Sequence, residues 1–425
     1  MSQDIGFPDM ITVRQHFETT PPVDIAREIG TQVDALSLAA RVKHGATVAV
    51  GCSSRGIAHY DEIVKATVNA LKNLGLKPFL IPAMGSHGAA TAEGQRKVLA
   101  LAGITEERMG APVRSSLAVV EIGQTPQGVP VLVDRLAWQA DHMVLVNRIK
   151  PHTEFSFDIE SGVLKMMAIG LGKEKGATFY HKAFMSYGHG PMILSIADMI
   201  LSSGRVLFGV GVVENGYCET AAVSVMPPET MITQEKSLLK RAYRLAPALP
   251  FDAVDVLIID EMGKDISGCG FDAKVVGRIG MPLVSPEPPR PRVKRIVVCD
   301  LTPATGGNAD GVGCADFITK RLADKIDFKA LYVNAIAGSE PEHARIPMQM
   351  ANDREAVQAA MGSIGLTPFE DQNVIRIKNT LQLETAAVSR AFQSALHKRS
   401  DLAAVGPPTP MSFDADGNLK ALGGQ

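Results

Sequence analysis

ATVAVGCSSRGIAHYDEIVKATVNALKNLGLKPFLIPAMG, residues 46–85, decides the fold. Its ends, ATVAVG (46–51) and KPFLIPAMG (77–85), are short apolar runs with the composition of strands covered on both faces. Between them, YDEIVKATVNALKNLG (60–75) spaces its apolar residues as a helix does and stops at Gly75. Strand, helix and strand in this order predict a right-handed parallel crossover, and TAEGQRKVLALAG (91–103) supplies the next helix. Residues 51–59 and 85–90 then become loops beyond the carboxyl ends of neighbouring strands, where open α/β sheets build their sites.

Outward from this unit the alternation continues through HMVLVNRI (142–149) and VLFGVGVV (206–213). Residues 215–250 carry Pro227, Pro228, Pro247 and Pro250 around the helical segment TQEKSLLKRAYRLA, which predicts a connection between lobes. Strand signals restart with VDVLIID (254–260), RIVVCD (295–300), ALYVNAI (330–336) and NVIRIKN (373–379). The predicted fold class is α/β, with two domains of mostly parallel sheet and an active-site cleft between them. The domains are expected over 1–250 and 251–400, followed by a surface tail, 401–425. A length of 425 residues suits two hydrophobic cores better than one.

Composition excludes several classes of function. Apolar residues at 46% and charged residues at 21% are globular, and no apolar run reaches the ~18 residues that span a bilayer. The polar, acidic start MSQDIGFPDM lacks the pattern of a signal peptide. Cys52, Cys218, Cys269, Cys299 and Cys314 are odd in number and form no C-x-x-C pair, so they read as reduced thiols of a cytoplasmic protein. A net charge of -2 and a lone tryptophan, Trp138, argue against a nucleic-acid partner.

Two segments carry the chemistry. MGSHGAAT (84–91) places His87 among glycines, after a strand and before a helix. An imidazole there serves as acid or base near neutral pH, although an ordinary exposed loop histidine fits the same text. VNRIKPHTEFSFDIESGVLKMMAIGLGKEKGATFYHKAF (146–184) begins at a strand end and carries His152, Lys165 and His181. Its four glycines between positions 162 and 176 suggest close backbone approach to a ligand. GLGKEKGAT and GVGVVENG fit neither the Walker nor the dinucleotide spacing, and no H-E-x-x-H or G-x-S-x-G is present.

The succession G-[ST]-H-x-x-x-T, I-x-P-H and S-G-x-x-K, with a histidine 16 residues after the lysine, resembles the nickel-dependent lactate racemase family. The resemblance implies a nickel-pincer nucleotide tethered to Lys165, His181 as the nickel ligand, and His87 and His152 as the acid/base pair. It also implies transient partners that make the cofactor. The activity implied is inversion of C2 of a small-molecule 2-hydroxy acid. The chemistry suits such a set: loss of a proton from C2 beside a carboxylate is difficult, whereas hydride removal gives a planar 2-oxo acid. That route needs an electron-accepting cofactor and a base on each side of the substrate.

GCSSRGIAHYDE (51–62) occupies the place of the family's acidic D-x-T-R-type motif. Arg55 aligns with its arginine, and Ser53 and Ser54 offer bonds to a phosphate. Cys52 replaces the acid, Gly88 stands where an arginine is common, and the loop before Lys165 is longer, which together point to a larger or more polar substrate than lactate. In IIDEMGKDISGCGFD (258–272), Lys264 is either a ligand for substrate carboxylate or cofactor phosphate, or a solvated loop lysine. DLTPATGGNADGVG (300–313) receives no role. His16, His44, His59, His142, His189, His343 and His397 read as surface or packing residues. Two other functions fit the text: a zinc hydrolase using His87, His152 and His181, and a non-catalytic two-domain protein that closes on a sugar acid or nucleotide.

Overall fold

The computed structural model describes residues 6–54 and 56–422. The chain forms two units, an N-terminal one of residues 18–152 and 156–246 and a C-terminal one containing the residues up to 17, 153–155 and those from 247 onward. The first strand, β1 (Asp9–Gln15), belongs to the C-terminal unit. The N-terminal unit begins with α1 (Ile25–Ala35), capped by the Asp24 side chain, which accepts from Arg27 N–H.

The crossover expected from residues 46–85 is present as β2 (Thr47–Cys52), α2 (Tyr60–Asn73) and β3 (Lys77–Pro82). Helix α2 buries Tyr60, Ile63, Val64, Thr67, Val68 and Leu71 along one stripe. It ends before Gly75, whose φ of +73° and closeness to the His44 ring, 2.3 Å from an added Cβ, require glycine. Then follow α3 (Ala92–Leu101), the hairpin β4 (Val119–Gln124) and β5 (Pro130–Asp134), and β6 (His142–Arg148). After the long 149–162 loop come α4 (Leu171–Tyr187), α5 (His189–Ser202), β7 (Val206–Glu214), β8 (Thr220–Met226) and α6 (Met231–Leu245).

The N-terminal sheet has the order β3-β2-β6-β7-β8, parallel except for β8. Residues 215–250 are therefore more than a connection. Strand β8 pairs along β7 and buries Val223, Val225 and Met226, and α6 buries Met231, Leu239, Ala242 and Leu245. Prolines flank these elements without interrupting them.

The C-terminal unit contains β9 (Ala253–Ile259), β10 (Arg292–Val298), β11 (Phe317–Thr319), α7 (Phe328–Gly338), β12 (Met348–Met350), α8 (Asp353–Gly362), β13 (Val374–Ile377), β14 (Thr385–Ser389) and β15 (Leu402–Ala404). Its sheet order is β12-β11-β10-β9-β13-β14-β1-β15, parallel from β12 to β13 and antiparallel beyond. Three sequence expectations change here. ALYVNAI lies in helix α7, started by the Asp327 side chain accepting from Lys329 and Ala330 N–H; a short apolar run does not distinguish strand from helix. Strand β1 sits between β14 and β15, so the N-terminus completes the C-terminal sheet. The segment after 400 is also structural: β15 pairs with β1, Leu419 N–H donates to Asp353 at 2.7 Å, and the Phe413 ring lies 4.8 Å from that of Phe7. Among the described residues, no helix is long and apolar enough to cross a membrane.

Candidate active site

Parallel strands β3, β2, β6 and β7 deliver their carboxyl ends to one edge of the N-terminal sheet. The chain leaves β2 toward β3 on one side, while β6 lies on the other, so the gap between β2 and β6 is a topological switch point. The loop bearing Ser53 and Ser54 follows β2, that of His87 follows β3, and that of His152 follows β6.

Ser54 Oγ hydrogen-bonds His87 Nδ1. Buried Gln95 holds the His87 loop from below, donating to Gly85 O at 2.8 Å and His87 O at 3.2 Å. At Gly88, φ is +67° and an added Cβ lies 2.6 Å from the backbone of Gly94 and Gln95. An arginine at this position would require a different loop path. Cys52 ends β2 as a buried thiol, its pKa pushed up to about 12 by burial despite the Tyr60 hydroxyl. Tyr60 Oη also accepts from Ser53 N–H at 2.6 Å, fixing the start of the loop. This β2 end is therefore uncharged at neutral pH. Arg55 lies outside the described residues.

His152 is buried, and its Nε2 is bonded to Lys165 Nζ. The bond requires a lone pair on Nε2 when Lys165 is an ammonium, because an ammonium only donates. Buried Glu160 shapes the turn: Oε2 accepts His152 N–H at 2.5 Å, and Oε1 accepts Phe157 N–H at 3.2 Å and the Tyr243 hydroxyl at 2.6 Å. The loop is closed by Lys150 and Ser161, which exchange backbone bonds at 3.1 and 3.2 Å.

Lys165 sits on a helical turn, Val163–Lys165, whose N-terminus is capped by buried Glu235. Oε2 of Glu235 accepts Val163 N–H at 2.8 Å and Leu164 N–H at 3.1 Å, whereas Oε1 has no partner among the described residues. Burial raises this carboxyl to about 8, the two amide bonds offsetting part of the effect. Gly162 is required for the approach, since a Cβ there would stand 2.2 Å from Glu235 Oε1.

A π turn, Met166–Gly170, separates the Lys165 turn from α4. On an uninterrupted α-helix, the sixteen residues from Lys165 to His181 rotate by about 160°, placing the two on nearly opposite faces. The π turn and a break at Lys173 (φ +56°, ψ −162°) remove that constraint. Lys173 is fully buried, paired with Asp134 at 2.8 Å and bonded to Pro82 O and, at 3.4 Å, to Gln95. Desolvation outweighs the Asp134 charge and lowers its pKa. Half-buried His181 packs on Phe184, ring centroids 5.9 Å apart.

The glycines of this segment face protein rather than open space. A Cβ at Gly170 would lie 2.6 Å from Ala83 O, and at Gly172 or Gly176 it would lie 3.0 Å from the Tyr180 ring. Tyr180 is buried beneath them, accepting Leu132 N–H at 2.7 Å and donating to Pro130 O at 3.2 Å. The expectation of ligand approach at these positions is thereby corrected: close helix–strand packing explains them.

Ser54 with His87, and His152 with Lys165, are thus joined in pairs at one sheet edge. Lys264 is in the C-terminal unit, its Nζ bonded to Asp310 at 3.0 Å and Asn334 at 2.8 Å. Sequence reasoning missed Gln95, Glu160, Lys173 and Glu235. Their bonds to backbone reveal them, Glu160 and Glu235 accepting from amides and Gln95 and Lys173 donating to carbonyls, although a Lys and a Gln at apolar helix positions were a signal. The sets of converging metal-ligating atoms found among the described residues are Cys269–Asp310–His343 and Glu154–Cys269–Glu340. Neither contains His87, His152 or His181, the trio expected of a zinc hydrolase.

Histidine, lysine and hydroxyl groups on loops at the switch point of a parallel sheet define an α/β protein with its site at the carboxyl edge. Residues 17–190 match the lactate racemase N-terminal domain family. The lactate racemase apoprotein from Thermoanaerobacterium thermosaccharolyticum shares the fold, at 13% identity and a TM-score of 0.52, over 88% of this chain and 98% of that one. A crystal structure of a protein from Thermotoga maritima aligns at 15% identity and a TM-score of 0.46, over 64% of this chain and 70% of that one. No curated protein matches the chain in sequence.

Proposed function

We propose that the protein is an isomerase that inverts C2 of a 2-hydroxy acid with the help of a nickel-pincer nucleotide. The observation that carries this reading is the pairing of Ser54 with His87 and His152 with Lys165 at one sheet edge, within the stretch that matches the lactate racemase N-terminal domain. The donor set suits the cofactor. Lys165 offers a primary amine on a turn fixed by Glu235, and His181 offers an imidazole, a good nickel ligand. When bound, the cofactor supplies an electron-accepting centre for the C2 hydrogen.

The remaining work belongs to the protein. His87 and His152 hold and return the hydroxyl proton, one for each enantiomer. The Ser54 bond engages Nδ1 of His87 and so orients its ring, and Glu160 fixes the backbone at His152. Ser53 and Ser54, with Arg55, bind phosphate or carboxylate. The neutral Cys52 and the tight path at Gly88 remove two charges expected around lactate, which supports a larger or more polar substrate.

The test is to express the chain with cofactor-biosynthesis proteins, weigh the peptide containing Lys165, and screen 2-hydroxy acids deuterated at C2. A mass addition on that peptide, and inversion with the label retained in ordinary water, are expected. His87→Ala and His152→Ala should each abolish inversion. Complete wash-out of the label would refute hydride transfer.

A further inference from the structure

The motif IIDEMGKDISGCGFD, which carries Lys264, and DLTPATGGNADGVG, which received no role, meet in the C-terminal unit together with a histidine that reads as ordinary in sequence. Cys269 comes from the loop after β9, Asp310 from the loop after β10, and His343 from the short turn Pro341–Ala344 after α7. All three are buried, and one ligand atom from each lies within 4.8 Å of the others. Glu340 belongs to the same cluster, within that distance of Cys269 and with Oε2 3.2 Å from His343 Nδ1.

The orientation of these groups points to a ligand. His343 Nε2 lies 2.8 Å from the Ile279 carbonyl, which only accepts, so this nitrogen carries the hydrogen and leaves Nδ1 to face the cluster. A backbone carbonyl fixing one ring nitrogen while the other is presented inward is the usual support of a metal-bound histidine. Asp310 is 2% exposed. Its Oδ2 is taken by Lys264 and Asn334, whereas its Oδ1 is buried without a partner among the described residues. A neutral imidazole lone pair facing a carboxylate is unfavourable unless a proton or a cation lies between them.

We propose that Cys269, Asp310, His343 and Glu340 form a binding site for a thiophilic divalent cation, zinc in the first instance, separate from the proposed nickel site. Sulfur and imidazole donors exclude calcium and magnesium and suit zinc. In a tetrahedral zinc site the ligand atoms are about 3.5 Å apart, so closure by roughly 1 Å suffices. Binding forms a Zn–S bond and releases the Cys269 thiol proton to solvent. Zinc offsets the thiolate and one carboxylate and the Lys264 ammonium beside Asp310 offsets the other, while Glu154, whose Oε1 lies 3.3 Å from Cys269 Sγ, adds one further carboxylate beside the cluster. The ion adds a link among three loops, two of which already share backbone bonds between Met262 and both Asp300 and Thr302, and it fixes Asp310 and so Lys264.

The test uses the full chain, purified from zinc-supplemented cells without nickel and dialysed against buffer. Stoichiometric zinc is expected, together with a thiolate-to-cobalt absorption band in the near ultraviolet after exchange with Co²⁺. Cys269→Ser should remove the band, and His343→Ala should lower zinc retention by at least tenfold. His181→Ala should retain both, which separates this site from the proposed nickel site. If Cys269→Ser fails to fold, cobalt titration of the unmodified chain still decides. Absence of zinc and of the cobalt band in folded protein overturns the proposal, as does a band that survives in folded Cys269→Ser.

Discussion

Replacing Glu235 by Gln tests how the turn bearing Lys165 is held. One carboxylate oxygen serves both Val163 and Leu164 amides, and the whole side chain is buried. Burial raises the carboxyl from 4.5 to about 8. Between these values the folded chain keeps a proton that the unfolded chain has released, so stability falls as pH rises. The contribution is complete below the unfolded value and lost by the time pH passes the folded one. One bound proton of difference is worth about 1.36 kcal/mol for each step of one in pH, and integration from about pH 5 to pH 9 gives a loss of roughly 4 kcal/mol. A glutamine keeps an oxygen for the two amides and cannot ionise. Urea unfolding followed by Trp138, the single tryptophan and a residue of the N-terminal unit, reads the effect. The advantage of Glu235→Gln over the parent should grow steadily with pH across this range. Parallel stability profiles for the two proteins would refute the reasoning.

Other perturbations follow from neighbouring contacts. Lys173→Met strands buried Asp134 and should cost about 3–5 kcal/mol, part of which Asp134→Asn in the same chain restores, as read by thermal unfolding. Gly162→Ala places a methyl 2.2 Å from Glu235 and should destabilise the N-terminal unit by about 1–3 kcal/mol while reducing mass addition at Lys165. Tyr60→Phe removes the acceptor for Ser53 N–H and should cost about 1–3 kcal/mol in the same unfolding assay. Truncation after Ser400 removes β15, which pairs with β1, and the Phe413 ring beside Phe7; proteolysis should then cleave the β1 segment much faster.

The amino-acid sequence by itself determined the parallel crossover over 46–85 and the α/β class, because these rest on local periodicity, whereas the roles proposed for His87, His152, Lys165 and His181 come from the motif resemblance. Residues close in the chain, such as His152 and Lys165, are legible in this way. What supports them is not: Glu235 reaches Val163 across some seventy positions, and Gln95 and Lys173 stabilise the His87 loop only once helices pack on the sheet. The long-range placement of β1 beside β14 and β15 was equally hidden, since sheet order depends on edges finding partners. Cys269, Asp310 and His343 carry no common motif, and only the folding of three loops onto one point brings their donor atoms together. Local pattern along the chain therefore specified the crossover and its loops, while burial and backbone hydrogen bonding, which exist only in the folded molecule, decided how the groups of the proposed chemistry are held.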